Sequence, residues 1–235
     1  MCGRYTLATP DPAAVRARFP MGETVEIRRR YNVAPGDDVL AVTTDREGSP
    51  RGELLRWGLV PSWSEGPGSA MKMINARVET VAERPAFRRA FERFRCLIPA
   101  DGFYEWSSPA GGGRKLAYHI ARADHGLFAF AGLWSIWRAE EAGVPLRSCT
   151  IITTTPNSQV AQLHDRMPVM LPREGEAAWL DPATPRAELL EMLAPLPPEQ
   201  TSVVPVGPAV NDARYDGPEC LAPPPEPSQA QPTLF

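Results

Sequence analysis

Between residues 95 and 155, five short segments rich in β-branched and aromatic residues follow one another: "RCLIP" (95–99), "GFYEW" (102–106), "LAYHIA" (116–121), "LFAFAGLW" (127–134) and "RSCTIITTT" (147–155). Segments of this length and composition read as strands, and the glycine-rich "AGGGR" between the second and third is turn chemistry for a hairpin. "DVLAVTT" (38–44) and "LLRWGLV" (54–60) add two more. Helical signals are fewer. Asp11 and Pro12 start one over 11–19, with Ala14, Val15 and Phe19 as its apolar side, and "PAFRRAFERF" (85–94) sets Phe87, Phe91 and Phe94 on one stripe. "PNSQVAQLH" (156–164) has a helix-start signal at Asn157, and "EGEAAWL" (174–180) and "PRAELLEML" (185–193) read as later helices. The expected fold is α+β: one domain over residues 2–222, a curled, mainly antiparallel sheet with a barrel-like core, and peripheral helices.

A chain of 235 residues can bury a substantial core. Its cysteines, Cys2, Cys96, Cys149 and Cys220, are far apart and form no C-x-x-C pair, which points to a reducing compartment and to neither a disulfide scaffold nor a zinc site. No window approaches the roughly 18 apolar residues of a membrane span, and the start lacks a signal-peptide pattern, so the expected location is the cytoplasm. The net charge of −3 is unevenly distributed, with +5 over residues 1–173 and −8 over residues 174–235. Only the first part suits a polyanion, and its arginine excess over lysine is compatible with phosphate recognition as well as with a solvated surface. Residues 223–235 hold five prolines and read as a disordered tail. Its end, "QPTLF", with Gln231, Leu234 and Phe235, resembles the Q-x-x-L-F peptides by which bacterial replication proteins dock on the sliding clamp.

"MCGRY" places a cysteine directly behind the initiator methionine. Once Met1 is removed, Cys2 carries two nucleophiles, an α-amine of ordinary pKa about 7.7–8.0 and a thiol of about 8.5. Taken alone, the placement also fits chance, with the cysteine acting as a small buried hydrophobe. Four other stretches, "RYNVAP" (30–35), "RWGLVPSW" (56–63), "INARVET" (74–80) and "LHDRMPV" (163–169), join polar groups to glycine, proline or tryptophan, a composition of contact loops. Arg77 and Arg166 are candidate phosphate ligands, with Arg4 a third, and Pro35 and Trp63 offer apolar surfaces to bases. Trp57 and Trp134 read as core. In "GFYEW", period-two alternation sets Glu105 on the face of Phe103, opposite Tyr104 and Trp106. A carboxyl among apolar neighbours titrates high and suits proton transfer. His164 is the best acid/base candidate among His119, His125 and His164.

In this order the motifs "CGRY", "RYNVAPG", "WGLVPSW", "INARVET", "ADGFYEW" and "LHDRMPV" resemble the SRAP family, the SOS-response-associated peptidases, over roughly residues 2–210. The family often shows a double tryptophan in the third motif; here Trp63 is followed by Ser64. The resemblance implies covalent capture of abasic sites in single-stranded DNA as a thiazolidine on the N-terminal cysteine. It carries the active-site roles to Cys2, Asn75, Glu105 and His164 and the phosphate contacts to Arg77 and Arg166. No metal, nucleotide or prosthetic group is called for; a monomer is expected, at the nucleoid or replication fork, where the clamp-like tail would deliver it. Two other classes stay open: a self-processing N-terminal-nucleophile cysteine peptidase, and a noncatalytic adaptor for single-stranded DNA or the clamp.

Overall fold

The alternation in the apolar segments of 95–155 is resolved by pairing. The computed structural model describes residues 2–8, 11–22, 25–107, 115–139 and 143–225. Its elements in chain order are β1 (Tyr5–Leu7), α1 (Pro12–Arg18), β2 (Arg30–Val33), β3 (Asp38–Thr44), β4 (Pro50–Trp57), β5 (Asn75–Arg77), α2 (Pro85–Arg93), β6 (Arg95–Ala100) and β7 (Gly102–Trp106). There follow β8 (Ala117–Arg122), β9 (Phe128–Trp137), β10 (Leu146–Thr154), β11 (Met167–Pro168), β12 (Met170–Leu171), α3 (Glu176–Leu180), α4 (Arg186–Glu191) and β13 (Thr201–Val206). Strands β7 and β8 pair antiparallel with Phe103 opposite Ile120, and β9 and β10 with Leu133 opposite Thr150.

Two sheets result. One has the order β13-β8-β7-β1-β2. In the other, β10 pairs with β4, β4 with β3, β3 with β6, β6 with β9, and β9 again with β10, so five strands close into a barrel to which β5, β11 and β12 attach. Pairings are antiparallel except those of β10 with β4 and β5. The α+β, mainly antiparallel and barrel-like fold is therefore the one observed. Two strands of the ring, β6 and β10, are buried on both faces: neighbouring Leu97 and Ile98, like Ile151 and Ile152, enter different apolar clusters. Helix α2 packs Phe87 and Phe91 on one cluster, and α1 adds Val15, while Arg18 and Glu176 form a bidentate pair at 2.6 and 2.7 Å that ties α1 to α3.

Some boundaries differ from the sequence reading. Strand β4 begins at Pro50 and stops at Trp57, because Gly58 adopts φ +131° and a Cβ there would lie 2.9 Å from the Ala70 carbonyl oxygen. The stretch 156–164 holds one short 3-10 turn, Val160–Gln162, whose N-cap position is Gln159; Asn157 precedes it, its Oδ1 accepting from the N–H groups of Gln159 and Val160. "RYNVAP" and "INARVET", expected as loops, supply β2 and β5, since edge pairing with β1 and β10 satisfies their backbone groups. Among the described residues no helix is long and apolar enough to cross a membrane. The proposed clamp motif, Gln231, Leu234 and Phe235, lies outside the described residues.

Candidate active site

Strand β1 is held on both sides, by β7 and β2, so the residues before it are positioned by a sheet interior. Tyr5 pairs with Phe103, and the Tyr104 N–H donates to the Arg4 carbonyl at 3.0 Å, extending the ladder toward Glu105. Cys2 is fully buried in the cluster of Tyr5, Trp57, Phe103 and Ile151. Burial drives its thiol far above the ordinary range and the Glu105 charge pushes it further, while the positive chain terminus works against both. In the resting protein the sulfur is therefore a neutral thiol.

Glu105 is on the Phe103 face, as alternation requires, and is 3% exposed. Burial raises its carboxyl to about 7, opposed by the positive chain terminus and reinforced by Asp165. Asn75 opens β5, opposite Ile151 of β10, and the neighbouring Ile74 packs on the cluster that holds Cys2. The Trp57 indole fixes that corner by donating to the Ile74 carbonyl at 2.9 Å. The Asn75 amide nitrogen donates to the same carbonyl at 2.9 Å, whereas its Oδ1 is buried with no hydrogen bond. An orphaned carbonyl oxygen costs about 1–3 kcal/mol, which a substrate N–H or O–H would recover.

His164 follows the 3-10 turn, and the adjacent Leu163 packs on the same cluster. Its Nδ1 lies 3.1 Å from the Arg166 N–H and 2.8 Å from Asp165 Oδ1. The first contact suits a neutral ring that accepts, the second a protonated ring that donates. The ring is thus supported in either state. Burial, helped by the positive chain terminus and Arg166, lowers its pKa, with Asp165 opposing. The Glu105 charge acts on the Cys2 thiol, and the chain terminus acts on Cys2, Glu105 and His164 alike, which sets these three near one another, while Asn75 lies opposite Ile151 of the Cys2 cluster. Among the described residues no group of three His, Cys, Asp or Glu could hold a metal ion.

The expected phosphate ligands fare differently. Arg77 is exposed on the face of Asn75, and among the described residues no hydrogen bond or ion pair holds its guanidinium. Arg166 is 8% exposed; its guanidinium grips Glu79 at 2.5 and 2.9 Å and the Thr153 carbonyl at 2.7 Å, leaving Nε buried with no hydrogen bond. Arg4 turns to Asn32 Oδ1 and the Val210 carbonyl, both at 2.9 Å. Both side chains are occupied in brace-like contacts. Trp63 is 66% exposed and Pro35 half-buried, whereas Trp57 and Trp134 are core. His119 lies in a buried network away from the Cys2 cluster, 3.0 Å from Thr6 Oγ1, and burial lowers it to about 4.

Sequence reasoning passed over three contributors. Glu79 stands inside "INARVET" and Asp165 inside "LHDRMPV", but their roles depend on which arginine or imidazole folds beside them. Thr153, opposite Arg77, has a buried hydroxyl with no hydrogen bond, and nothing in "IITTT" separates it from its neighbours.

Residues 1–213 match the family model of the SOS response associated peptidase (SRAP). The chain is 40% identical over 227 residues to the abasic site processing protein YoaM of Bacillus subtilis, covering 94% of this chain and 97% of that one. It is 32% identical over 196 residues to the abasic site processing protein YedK of Escherichia coli, covering 83% and 84% of the two chains. The crystal structure of a protein from Bacteroides thetaiotaomicron shares the fold with a TM-score of 0.85 at 24% identity, over 94% of this chain and 99% of that one. A family match over this much of the chain, with relatives of this identity, makes the protein a member of the SRAP family.

Proposed function

We propose that this protein captures abasic sites in single-stranded DNA by forming a covalent bond between the lesion and Cys2. The observation that carries the reading is a buried Cys2 whose thiol feels the charge of Glu105, a carboxyl raised to about 7; the names of the curated relatives supply the substrate class. After Met1 removal the Cys2 amine attacks the aldehyde carbon of the ring-opened sugar, one water leaves, and an imine forms. The thiol then adds to the same carbon, its proton passing to nitrogen, and a five-membered thiazolidine closes. Closure is intramolecular, where effective molarities reach about 10⁵–10⁸ M. Ionised Glu105 takes the proton that blocks the amine, His164 donates to the departing oxygen, and Asn75 Oδ1 accepts from the amine or a sugar hydroxyl. Arg77 anchors a flanking phosphate and Trp63 meets a base.

A thiol kept neutral by burial suits this order, amine first and sulfur second, better than it suits a peptidase that needs a thiolate. The setting that follows is a monomer in the cytoplasm, at the nucleoid and replication fork, with the tail motif as a sliding-clamp ligand. The test is incubation with single-stranded oligonucleotides, with and without one abasic residue, followed by denaturing electrophoresis. A shifted band with the damaged strand only, lost in Cys2→Ala, is expected. An equal band from Cys2→Ala rejects Cys2 as the linking residue.

A further inference from the structure

The guanidinium of Arg4, two residues after Cys2, joins the start of the chain to a segment 206 residues away, donating to Asn32 Oδ1 and to the Val210 carbonyl, both at 2.9 Å. Asn32 is 1% exposed, and its amide nitrogen donates in turn to the carbonyls of Asp212 and Tyr215 at 2.9 and 2.8 Å. Asp216 completes the attachment to β2, accepting from the N–H groups of Tyr31 and Asn32 at 2.5 and 2.8 Å and from Arg30. On the side of β7, Val210 and Cys220 are buried with Tyr104, the neighbour of Glu105, and Asn211 Oδ1 accepts from the Trp106 indole at 2.8 Å. Residues 207–222 are thus fastened to β2, to β7 and to Arg4 at once.

The start of a chain frays unless something ties it down. The pairing of β1 with β2 and β7 reaches Tyr5, and the Tyr104 N–H extends it to the Arg4 carbonyl at 3.0 Å. Cys2 lies two residues further out and is nevertheless fully buried. Its burial depends on the direction in which residues 2–4 leave the sheet. The Arg4 side chain fixes that direction by charge-assisted bonds to groups that are themselves anchored, a buried amide and a carbonyl of the fastened segment. The amide holds its oxygen toward Arg4 because its nitrogen is engaged with Asp212 and Tyr215.

We propose that residues 207–222 act as a latch that holds Cys2 in its pocket through Arg4, which makes Arg4 a positioning residue for the covalent capture; the kinetic part of this inference rests on the abasic-site reading. Iodoacetamide labelling of the native full-length protein, resolved by peptide mass spectrometry, reads the latch without DNA. A cysteine that leaves its burial regains an ordinary thiol and reacts. In Arg4→Ala, Cys2 should label about tenfold faster or more while Cys96 and Cys149, equally buried, keep the wild-type rate. Arg4→Lys, which keeps the cation without the fork, should recover part of the protection. Asp216→Ala opens the latch from its own end and should speed Cys220 and Cys2 together. Faster labelling of Cys220 with Cys2 unchanged overturns the proposal, and so does equal acceleration at Cys2, Cys96 and Cys149, which would make Arg4 a general contact of the fold. With an abasic oligonucleotide, Arg4→Ala should lower the maximal adduct rate about tenfold at an unchanged half-saturating concentration. A raised half-saturating concentration at an unchanged maximal rate would place Arg4 on a phosphate and overturn the latch. Labelling decides the matter even where the wild type forms no adduct, an outcome that defeats the abasic-site reading alone.

Discussion

On the proposed mechanism Glu105 would set the pH dependence of the reaction: its carboxyl is raised to about 7, so on the acid side the amine would lose its proton acceptor. The adduct rate should rise with pH through about 7, and Glu105→Gln should be about 10²-fold slower or more and lose that inflection. Retention of the same inflection would assign it to another group. Stability follows the opposite course. The folded pKa lies above the ordinary 4.5, so the folded state binds the extra proton between about 4.5 and about 7, and stability falls as pH rises through that window. Thermal melts of Glu105→Gln should lack this fall and lie above wild type at pH 8. Alternation in "GFYEW" was enough to place Glu105, because the face of a strand is a local property. The commitment of Arg166 and Arg4 was illegible for the opposite reason: their partners, Glu79 and Asn32, are set by distant pairings.

At the scale of elements, β1, β7 and β8 are joined by a half-buried polar network. The Thr6 hydroxyl donates to Asp101 Oδ1 at 2.5 Å and lies 3.0 Å from His119 Nε2, and Asp101 Oδ2 accepts from the Ala8 N–H at 2.7 Å. Gly102 makes room for the ring, since a Cβ there would stand 2.0 Å from His119 Nε2. Gly102→Ala should cost about 1–3 kcal/mol by overpacking, measured as a lower denaturant midpoint. Adding His119→Ala should recover part of that loss, and strict additivity of the two would argue that they do not meet. The long apolar strands and α2 were readable because their periodicity is intrinsic. Strands β1, β2, β5, β11, β12 and β13 were not, being short or polar and held by pairing with partners distant in sequence.

For the molecule as a whole, the uneven charge separates tasks. The basic part holds Cys2, Asn75, Glu105 and His164, and the acidic part closes the fold through β13 and the segment that Asn32 gathers by donating to the carbonyls of Asp212 and Tyr215 at 2.9 and 2.8 Å. The proposed tail ligand stands apart from both. Removing residues 231–235 should weaken capture by an immobilised sliding clamp while adduct yield on free oligonucleotides stays constant; undiminished capture would remove the tail from the account. The insertion of β1 between β7 and β2 has a further consequence for synthesis. Tyr5 pairs with Phe103 and the apolar cluster that holds Cys2 includes Ile151, so that cluster cannot assemble until the ribosome has delivered the chain past Ile151. On the proposed chemistry, a shorter nascent chain already freed of Met1 would display a plain aminothiol, indifferent to which aldehyde it meets, and discrimination would arrive only when the sheet shuts around it.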